Sequence, residues 1–123
     1  MNKLENEFSK YLSKIKASNI LIIVEGKKDR LALEHFGITN IIELSKKPLF
    51  KVIEDISLKN KKCIILTDLD KKGKELYGKL NHGLQQNGII IDNSFRNFLY
   101  KNTDLRQIEG LVSYMETISK TKD

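Results

Sequence analysis

The sequence has little that would brace a fold covalently or bind a soft metal. Its 123 residues include one cysteine, Cys63, and two histidines, His35 and His82. A single cysteine excludes an internal disulfide, and its position inside an apolar segment indicates a buried, inert thiol rather than a nucleophile. The histidines fall on separate helical stretches, so we expect no zinc site of Cys and His. A chain of this length can bury a real core without such supports.

Long apolar runs and linkers are also absent from the sequence. No apolar run approaches the roughly 20 residues that a membrane-spanning helix needs, and residues 1–7 lack the basic-then-apolar pattern of a signal peptide. We therefore expect a cytoplasmic protein with no membrane partner. No stretch rich in Pro, Gly and Ser divides the chain, which predicts a single domain over residues 1–123.

The balance of charge is moderately basic. The 22 Lys and Arg residues exceed the 16 Asp and Glu residues, which gives a net charge of +6. An excess of positive charge fits a polyanionic partner such as nucleic acid. Abundant Lys, Ile and Asn are equally typical of an AT-rich genome, so charge alone does not decide between a functional and a compositional origin.

Strand-like and helical segments alternate along the chain. Nearly continuous apolar strands and amphipathic helices predict an α/β fold, in which a mainly parallel four-stranded sheet is flanked by helices as a Rossmann-like three-layer sandwich. We take the strand order to be 2-1-3-4, in which strands 1 and 3 flank the point where the order reverses. Asp104 is the expected N-cap of the last helix, and the last four residues are expected to fray. The predicted strands are 19–24, 40–44, 62–67 and 89–91. The predicted helices are 2–17, 27–36, one that starts at Pro48, 71–86, 94–101 and 104–119.

Acidic residues follow two of the predicted strands directly. Glu25 follows the first strand, and Asp68 and Asp70 follow the third. Alternation in an extended segment sends Asp68 and Asp70 to one side and Leu69 into the core. Because ligands of such sheets bind at the carboxyl ends of strands where the strand order reverses, we expect the three carboxylates to converge. Their repulsion would be relieved by a hard divalent ion, Mg²⁺ or Mn²⁺.

Glycine and basic residues surround the acidic ones. Gly26 and Gly73 permit tight turns. The turn at Gly73 would also let a phosphate approach the start of the following helix. Arg96 alternates with Phe95 and Phe98, an arrangement that suits nucleic acid, although aromatic residues at helical spacing are more often core. A solvated helix face is the alternative for each basic residue. The candidate contacts to phosphate or nucleic acid are Lys27, Lys28, Arg30, Lys71, Lys72 and Arg96.

Two segments carry a resemblance to a known family. Residues 25–29 read EGKKD and residues 67–73 read TDLDKKG, and in this order and spacing they resemble the Toprim domain of topoisomerases, bacterial primases and small nucleases. The resemblance covers about residues 18–100, with the N-terminal helix 2–17 and the C-terminal helices 94–119 as additions. The chain looks most like the small stand-alone Toprim proteins, which are similar to the bacterial ribosomal RNA maturase.

The resemblance implies a role for each matching residue. Glu25 matches the glutamate that acts as general acid or base and can touch a metal. Asp68 and Asp70 match the pair that binds Mg²⁺, and Gly26 and Gly73 match the glycines that shape the two turns. The catalytic set implied is therefore Glu25, Asp68 and Asp70, and the same three residues are the expected metal ligands.

One departure from the family pattern narrows the choice. Lys72 stands where topoisomerases usually carry a third acidic residue, which fits the primase-like and small-nuclease patterns better. The chain also lacks the separate domains that hold a topoisomerase's active tyrosine. Its own tyrosines fall on helical stretches, where we expect them to pack: Tyr11, Tyr77, Tyr100 and Tyr114.

The function implied is Mg²⁺-dependent phosphodiester chemistry, with a nuclease that acts on RNA favoured over one that acts on DNA. The alternative is a non-catalytic nucleic-acid-binding module or an accessory subunit of a larger enzyme. A phosphatase with Asp68 as nucleophile would need Thr or Val where Lys72 stands. A protein partner or a homodimer, formed through the amphipathic helix 2–17, is left open.

Overall fold

Four parallel strands in the order β2-β1-β3-β4 form the central sheet of the computed structural model, which describes residues 2–45 and 47–120. This order and the all-parallel pairing confirm the predicted fold class. The strands are β1 (Leu21–Val24), β2 (Ile41–Glu43), β3 (Lys62–Ile65) and β4 (Ile90–Ile91). The helices are α1 (Lys3–Ser18), α2 (Lys27–His35), α3 (Leu49–Lys59), α4 (Lys71–Gln86), α5 (Ser94–Asn102) and α6 (Leu111–Ser119), with a 3₁₀ turn at Ile108–Gly110 before α6.

The sheet separates two hydrophobic clusters. Alternate residues of β1 point to opposite faces: Ile22 belongs to one cluster and Ile23 to the other. Helices α1, α2, α5 and α6 cover the first face, and α3 and α4 cover the second. Because both faces are buried, the strands need continuous apolar sequences, which is the pattern that β1 and β3 show.

Helix α1 packs on its own domain through an aromatic contact. The Phe8 side chain is fully buried, and its ring lies 5.8 Å from each of the rings of Phe95 and Phe98 in edge-to-face geometry. Such contacts add to the free energy gained from burial alone. The prediction that Phe95 and Phe98 are core residues is confirmed, and the apolar face of α1 is occupied inside the molecule rather than offered to a partner.

Cys63 lies in the middle of the sheet. Its side chain is fully buried between the strands and helices of the second face. Burial raises the pKa of the Cys63 thiol to about 11. The prediction of a buried thiol is confirmed, and the raised pKa is consistent with an unreactive one.

The predicted helix over 104–119 is wrong over residues 104–110. Helix α6 begins only at Leu111, and Gly110 rather than Asp104 precedes it as N-cap. The segment before it runs across the sheet edge, where the Leu69 N–H donates to the Arg106 carbonyl at 2.7 Å. Long-range hydrogen bonds therefore override the local helical signal.

Smaller differences concern the ends of elements. Strand β1 begins at Leu21 rather than at residue 19, because Asn19 adopts a left-handed conformation that ends α1. Strand β3 ends at Ile65, two residues earlier than predicted. Of the last four residues, predicted to fray, Lys120 forms a turn after α6, and 121–123 lie outside the described residues. No helix of the described part is long and apolar enough to span a membrane.

Replacement of Phe8 by alanine tests the core of the first face. We expect Phe8→Ala to lower the free energy of unfolding by about 3–5 kcal/mol, because it removes a fully buried ring and leaves a cavity. The matched control is Phe50→Ala, since the Phe50 side chain is 71% exposed; we expect a change within about 0.5 kcal/mol. Chemical denaturation measures both, and equal losses would contradict this assignment of the core.

Candidate functional site

The ends of β1 and β3 bring the two acidic segments together. These strands pair in parallel, with Ile23 opposite Ile65. Just beyond them, the Glu25 Oε2 atom accepts a hydrogen bond from the Asp68 backbone N–H at 2.7 Å. The two residues were predicted to meet at the point where the strand order reverses, and the structure places them there.

Each carboxylate of the predicted set accepts a hydrogen bond from a backbone N–H. The Asp68 Oδ1 atom accepts from Ile108 at 2.9 Å, across 40 residues of sequence. The Asp70 Oδ1 atom accepts from Gly73 at 2.8 Å, so Asp70 is the N-cap of α4. The chain bends at residues 69–70 instead of continuing as a strand. For each of the three carboxylates, no described residue forms a hydrogen bond to the other oxygen.

A close backbone approach shapes the turn after β3. A Cβ atom built on Gly73 would lie 1.9 Å from the Asp68 carbonyl oxygen, so no other residue fits without moving the backbone. The buried Thr67 hydroxyl donates to the Gly73 carbonyl at 2.7 Å and ties the same turn from the other side. Leu69 is 2% exposed and fills the core, as predicted from alternation.

Gly26, in contrast, shows no steric need for glycine. Its φ of −152° is extended backbone that any residue adopts, and an added Cβ would meet only the Ser45 Oγ atom, at 3.9 Å. The chain bends at residues 25–26 between β1 and α2, but this turn does not require glycine. The start of α2 is fixed instead by Asp29, whose Oδ2 atom accepts from the Gly26 N–H at 3.0 Å.

Asp29 is a fourth carboxylate of the site, which the sequence analysis did not include among the candidate residues. Its side chain is 7% exposed. Burial raises the pKa of Asp29, and the negative charges of Glu25 and Glu109 add to this effect, while a backbone hydrogen bond from Gly26 opposes it. Its place in EGKKD was the available signal, but a residue in the first turn of a helix is ordinarily explained by the helix dipole.

Asp68 combines burial with several negative charges nearby. Burial raises the pKa of Asp68 to about 6, and the charges of Asp29, Glu25 and Asp70 contribute in the same direction. The hydrogen bond from the Ile108 N–H acts in the opposite direction. The site is therefore a group of carboxylates that repel one another at neutral pH.

Arg96 supplies a positive charge next to the backbone of the acidic turn. Its side chain is 7% exposed, and its guanidinium donates to the carbonyls of Thr67 and Asp68, the latter at 3.0 Å. The guanidinium also lies 4.6 Å from the centre of the Tyr77 ring. The prediction of a phosphate contact is corrected here: buried donors committed to backbone carbonyls hold the turn rather than a ligand.

The other predicted basic contacts separate into two kinds. Arg30 forms ion pairs with Glu34, at 2.9 Å, and with Glu43, so much of its charge is compensated within the protein. The four lysines are exposed, and none forms an ion pair with a described residue. They stand in pairs in the first turns of α2 and α4: Lys27, Lys28, Lys71 and Lys72.

A partly exposed tyrosine lies next to the acidic turn. Tyr100 is 48% exposed, with the Lys74 ammonium 4.6 Å and the Arg106 guanidinium 5.3 Å from its ring centre. The Tyr100 ring borders a cavity of about 170 Å³ that reaches Leu69. We expected a packing residue. The sequence carried no signal for this cluster, because it depends on the non-helical segment before α6.

The fit of a metal ion depends on how many ligands the protein must supply. Among residues 2–45 and 47–120, no group of three or more His, Cys, Asp or Glu side chains is arranged to hold a metal ion. The predicted three-ligand site is therefore not preformed, because Glu25 turns to a backbone N–H and Asp70 caps a helix. Mg²⁺ keeps several waters and takes one or two protein carboxylates. The unused oxygens of Asp68 and Asp70 fit that requirement.

These features define a class of protein. Carboxylates at the carboxyl ends of adjacent parallel strands, where the strand order reverses, belong to α/β domains that bind their ligand at a switch point. A sequence profile of the Toprim domain matches residues 20–94. The chain belongs to the Toprim domain family.

Relatives and a solved structure agree with this assignment. UPF0292 protein MJ1624 of Methanocaldococcus jannaschii is 35% identical over 106 residues, which cover 83% of each chain. UPF0292 protein PH1700 of Pyrococcus horikoshii is 36% identical over 121 residues, 94% of this chain and 91% of the relative. A solved structure of a protein from Aquifex aeolicus is 37% identical and superposes with a TM-score of 0.76 over 82% of this chain and 94% of that chain. Family membership associates the chain with metal binding and with nucleic acid.

Gly73→Ala tests the close approach in the acidic turn. We expect a loss of about 3 kcal/mol in the free energy of unfolding, because the new methyl group collides with backbone rather than with a flexible side chain. Gly26→Ala is the matched control and should cost about 0.5 kcal/mol, the ordinary effect of alanine at an N-cap. Chemical denaturation of both variants measures the difference. A Gly73 variant as stable as its control would show that the turn relaxes.

Asp68→Asn tests the electrostatic strain. The folded state binds a proton at Asp68 more tightly than the unfolded chain, so its favourable contribution is present below pH 3.8 and is lost as pH rises through about 6. Asparagine keeps the acceptor for Ile108 and has no charge. At neutral pH without metal, we expect the variant to be more stable by about 1–2 kcal/mol, less than the full shift because the group is partly exposed.

The stability difference between wild type and Asp68→Asn should shrink as pH falls from about 7 to 4. Chemical denaturation of both proteins at each pH measures this difference. Mg²⁺ should stabilise the wild-type protein more than the variant. A variant less stable than wild type at neutral pH would refute a strained carboxylate.

Proposed function

We propose that this protein catalyses metal-dependent cleavage of phosphodiester bonds in nucleic acid, with RNA favoured over DNA. The observation that carries the proposal is the contact between the two acidic segments. Glu25 is held on the Asp68 backbone with its second oxygen unused, beside an Asp68 carboxylate whose pKa is raised to about 6. Perturbed carboxylates gathered at a switch point are typical of catalytic sites.

Asp68 and Asp70 would hold the ion, Mg²⁺ or Mn²⁺, with Glu25 close enough to contribute. When bound, such an ion neutralises charge on the phosphate oxygens and lowers the pKa of a coordinated water. The hydrogen bonds from Ile108 and Gly73 keep the two aspartates oriented without a ligand. The protein therefore does not need to reorganise its backbone at this site when substrate binds.

Glu25 would carry the proton. Its carboxylate is only partly buried, so it is open to water, and its Oε2 atom is fixed by the Asp68 N–H. The second oxygen can accept a proton from the attacking group or return one to the leaving oxygen. Arg96, held on the carbonyls of Thr67 and Asp68, limits the negative charge of the site and positions the turn that carries both aspartates.

Positive and aromatic groups around the carboxylates support a nucleic-acid substrate. Lys71 and Lys72 stand exposed at the start of α4, one and two residues beyond Asp70. Tyr100 is a partly exposed ring with two cations, Lys74 and Arg106, near it. Aromatic and basic groups together suit an unpaired strand. The preference for RNA, and action in the cytoplasm, rest on the resemblance to the ribosomal RNA maturase and on the sequence alone.

A second function is a non-catalytic nucleic-acid-binding module or an accessory subunit of a larger enzyme. The observation that favours it is the lack, within the described residues, of a preformed group of three metal-binding side chains. In that case nucleic acid would bind equally well without the acidic residues. The two functions therefore differ in turnover and in the effect of charge-removing substitutions.

The decisive assay uses end-labelled structured RNA and DNA with Mg²⁺, with Mn²⁺ and with EDTA. We expect cleavage that needs the metal and falls by about 10²–10⁴-fold in Glu25→Gln. Asp70→Asn should also lose activity although asparagine is an equally good N-cap, which separates the charge from the capping role. Glu75→Gln, an exposed position on α4, is the matched control and should retain full rates.

The outcomes of this assay separate the candidates. Metal-dependent cleavage lost in Glu25→Gln and Asp70→Asn supports the nuclease, and the better substrate gives its class. Unchanged cleavage by both variants would sink the assignment of the site. Tight binding without turnover, equal in all variants, would instead establish the binding module.

A further inference from the structure

A large cleft lies at the amino ends of the strands, opposite the carboxylate site. Its volume is about 860 Å³, within the range of small-molecule sites. The C-terminal end of α1, the start of β1 and the loop between α3 and β3 form its walls. Four lysines line it, and we call it the basic cleft: Lys14, Lys59, Lys61 and Lys62.

The cleft lysines have no ion-pair partner among the described residues. The cleft's one carboxylate, Asp92, accepts hydrogen bonds from the Ser94 N–H at 3.0 Å and from the Ser94 hydroxyl at 2.6 Å. Burial acts to raise the pKa of Asp92, but these hydrogen bonds and the charges of Lys62 and Lys14 lower it. Lys14 of α1 and Lys62 of β3 therefore both lie near the Asp92 carboxylate in the cleft.

The negative ends of two helices offset only part of the positive charge of the lysines. Helices α1 and α3 both end at the cleft, at Asn19 and Asn60, and each C-terminus carries about half a negative charge. The two ends together with Asp92 amount to roughly two negative charges. Four lysines exceed that sum, so the cleft keeps a positive field that attracts anions.

Apolar and aromatic residues line part of the cleft. Tyr11, Ile15, Ile64 and Phe95 are among its lining residues, beside the lysines. The Tyr11 ring packs at 5.5 Å from Phe95 and is only partly buried. An aromatic and apolar floor next to several ammonium groups matches a ligand that has both a flat ring and a phosphate.

We propose that the basic cleft binds a nucleotide unit, with its phosphate between Lys14 and Lys62 and its base against the floor near Tyr11. The shared chemistry is that of a phosphorylated nucleoside, either free or within a nucleic acid strand. The proposal goes beyond the catalytic function and does not rest on it, because none of the site carboxylates lines the cleft.

The test measures binding of a short fluorescent single-stranded RNA to the full chain in EDTA, by fluorescence anisotropy. We expect the Lys14→Gln/Lys62→Gln double variant to lose about 10-fold or more in affinity. Because both lysines are placed on one phosphate, loss of that contact should also flatten the plot of log affinity against log salt by about 0.7. Circular dichroism verifies that the variant is folded.

Lys3→Gln/Lys79→Gln is the matched control, because it removes the same charge from two exposed lysines outside the cleft that also form no ion pair with a described residue. We expect it to change affinity by less than about 3-fold. An equal loss in both double variants, or no loss in either, would overturn the proposal. We expect the same relative loss of affinity when the Lys14→Gln/Lys62→Gln pair is placed in a Glu25→Gln background, because the cleft and the carboxylate site share no residue. A failure of the catalytic proposal therefore leaves this measurement interpretable.

Competition identifies the source of the nucleotide. Displacement of the fluorescent strand by a nucleoside monophosphate supports a free nucleotide as ligand. Binding of strands alone, lost in the cleft variant, supports a nucleic acid that contacts the end of the sheet away from the carboxylates. If neither binds the wild-type protein, the proposal is wrong.

Discussion

The hydrogen bond from the Asp68 N–H to the Glu25 carboxylate is the contact on which the site depends. This 2.7 Å hydrogen bond links the segments that follow β1 and β3. It holds the Glu25 carboxylate against the backbone of Asp68, which carries the next carboxylate of the site. Ionised acceptors make such bonds about twice as strong as neutral ones. Repulsion among the carboxylates is thus resisted by backbone N–H groups and by Arg96, which holds the same turn through its carbonyls.

Much of the fold could be predicted because its signals are local. Apolar strands with both faces buried, each followed by an amphipathic helix, permit few arrangements, and the predicted α4 matches the observed Lys71–Gln86. The meeting of Glu25 and Asp68 followed from the strand order. Local signals failed at Asp104. The segment that begins there is not helical, because its backbone forms hydrogen bonds to the acidic turn, among them one from the Ile108 N–H to the Asp68 carboxylate. Partners so distant in sequence leave no periodic pattern.

The errors at single residues have a common physical origin. Arg96 stands among aromatic residues, which suggested a phosphate contact. Its burial and its two carbonyl partners depend on how α5 packs, which the sequence does not show. Gly26 and Gly73 look alike in sequence, but only Gly73 touches backbone. In the sequence, Asp29 resembles an ordinary acidic residue in the first turn of a helix. In the structure it is buried, and Glu109 of the segment before α6 is one of the residues that act on it. Sequence identifies the residue types, and tertiary packing decides their surroundings.

The isolation of Cys63 has a practical consequence for spectroscopy. With a pKa of about 11 and no exposed surface, its thiol is about one part in ten thousand thiolate at neutral pH. A cysteine introduced on the surface would therefore be the single group that reacts with a maleimide dye. Probes for distance or mobility can therefore be attached at one chosen position while Cys63 stays unmodified.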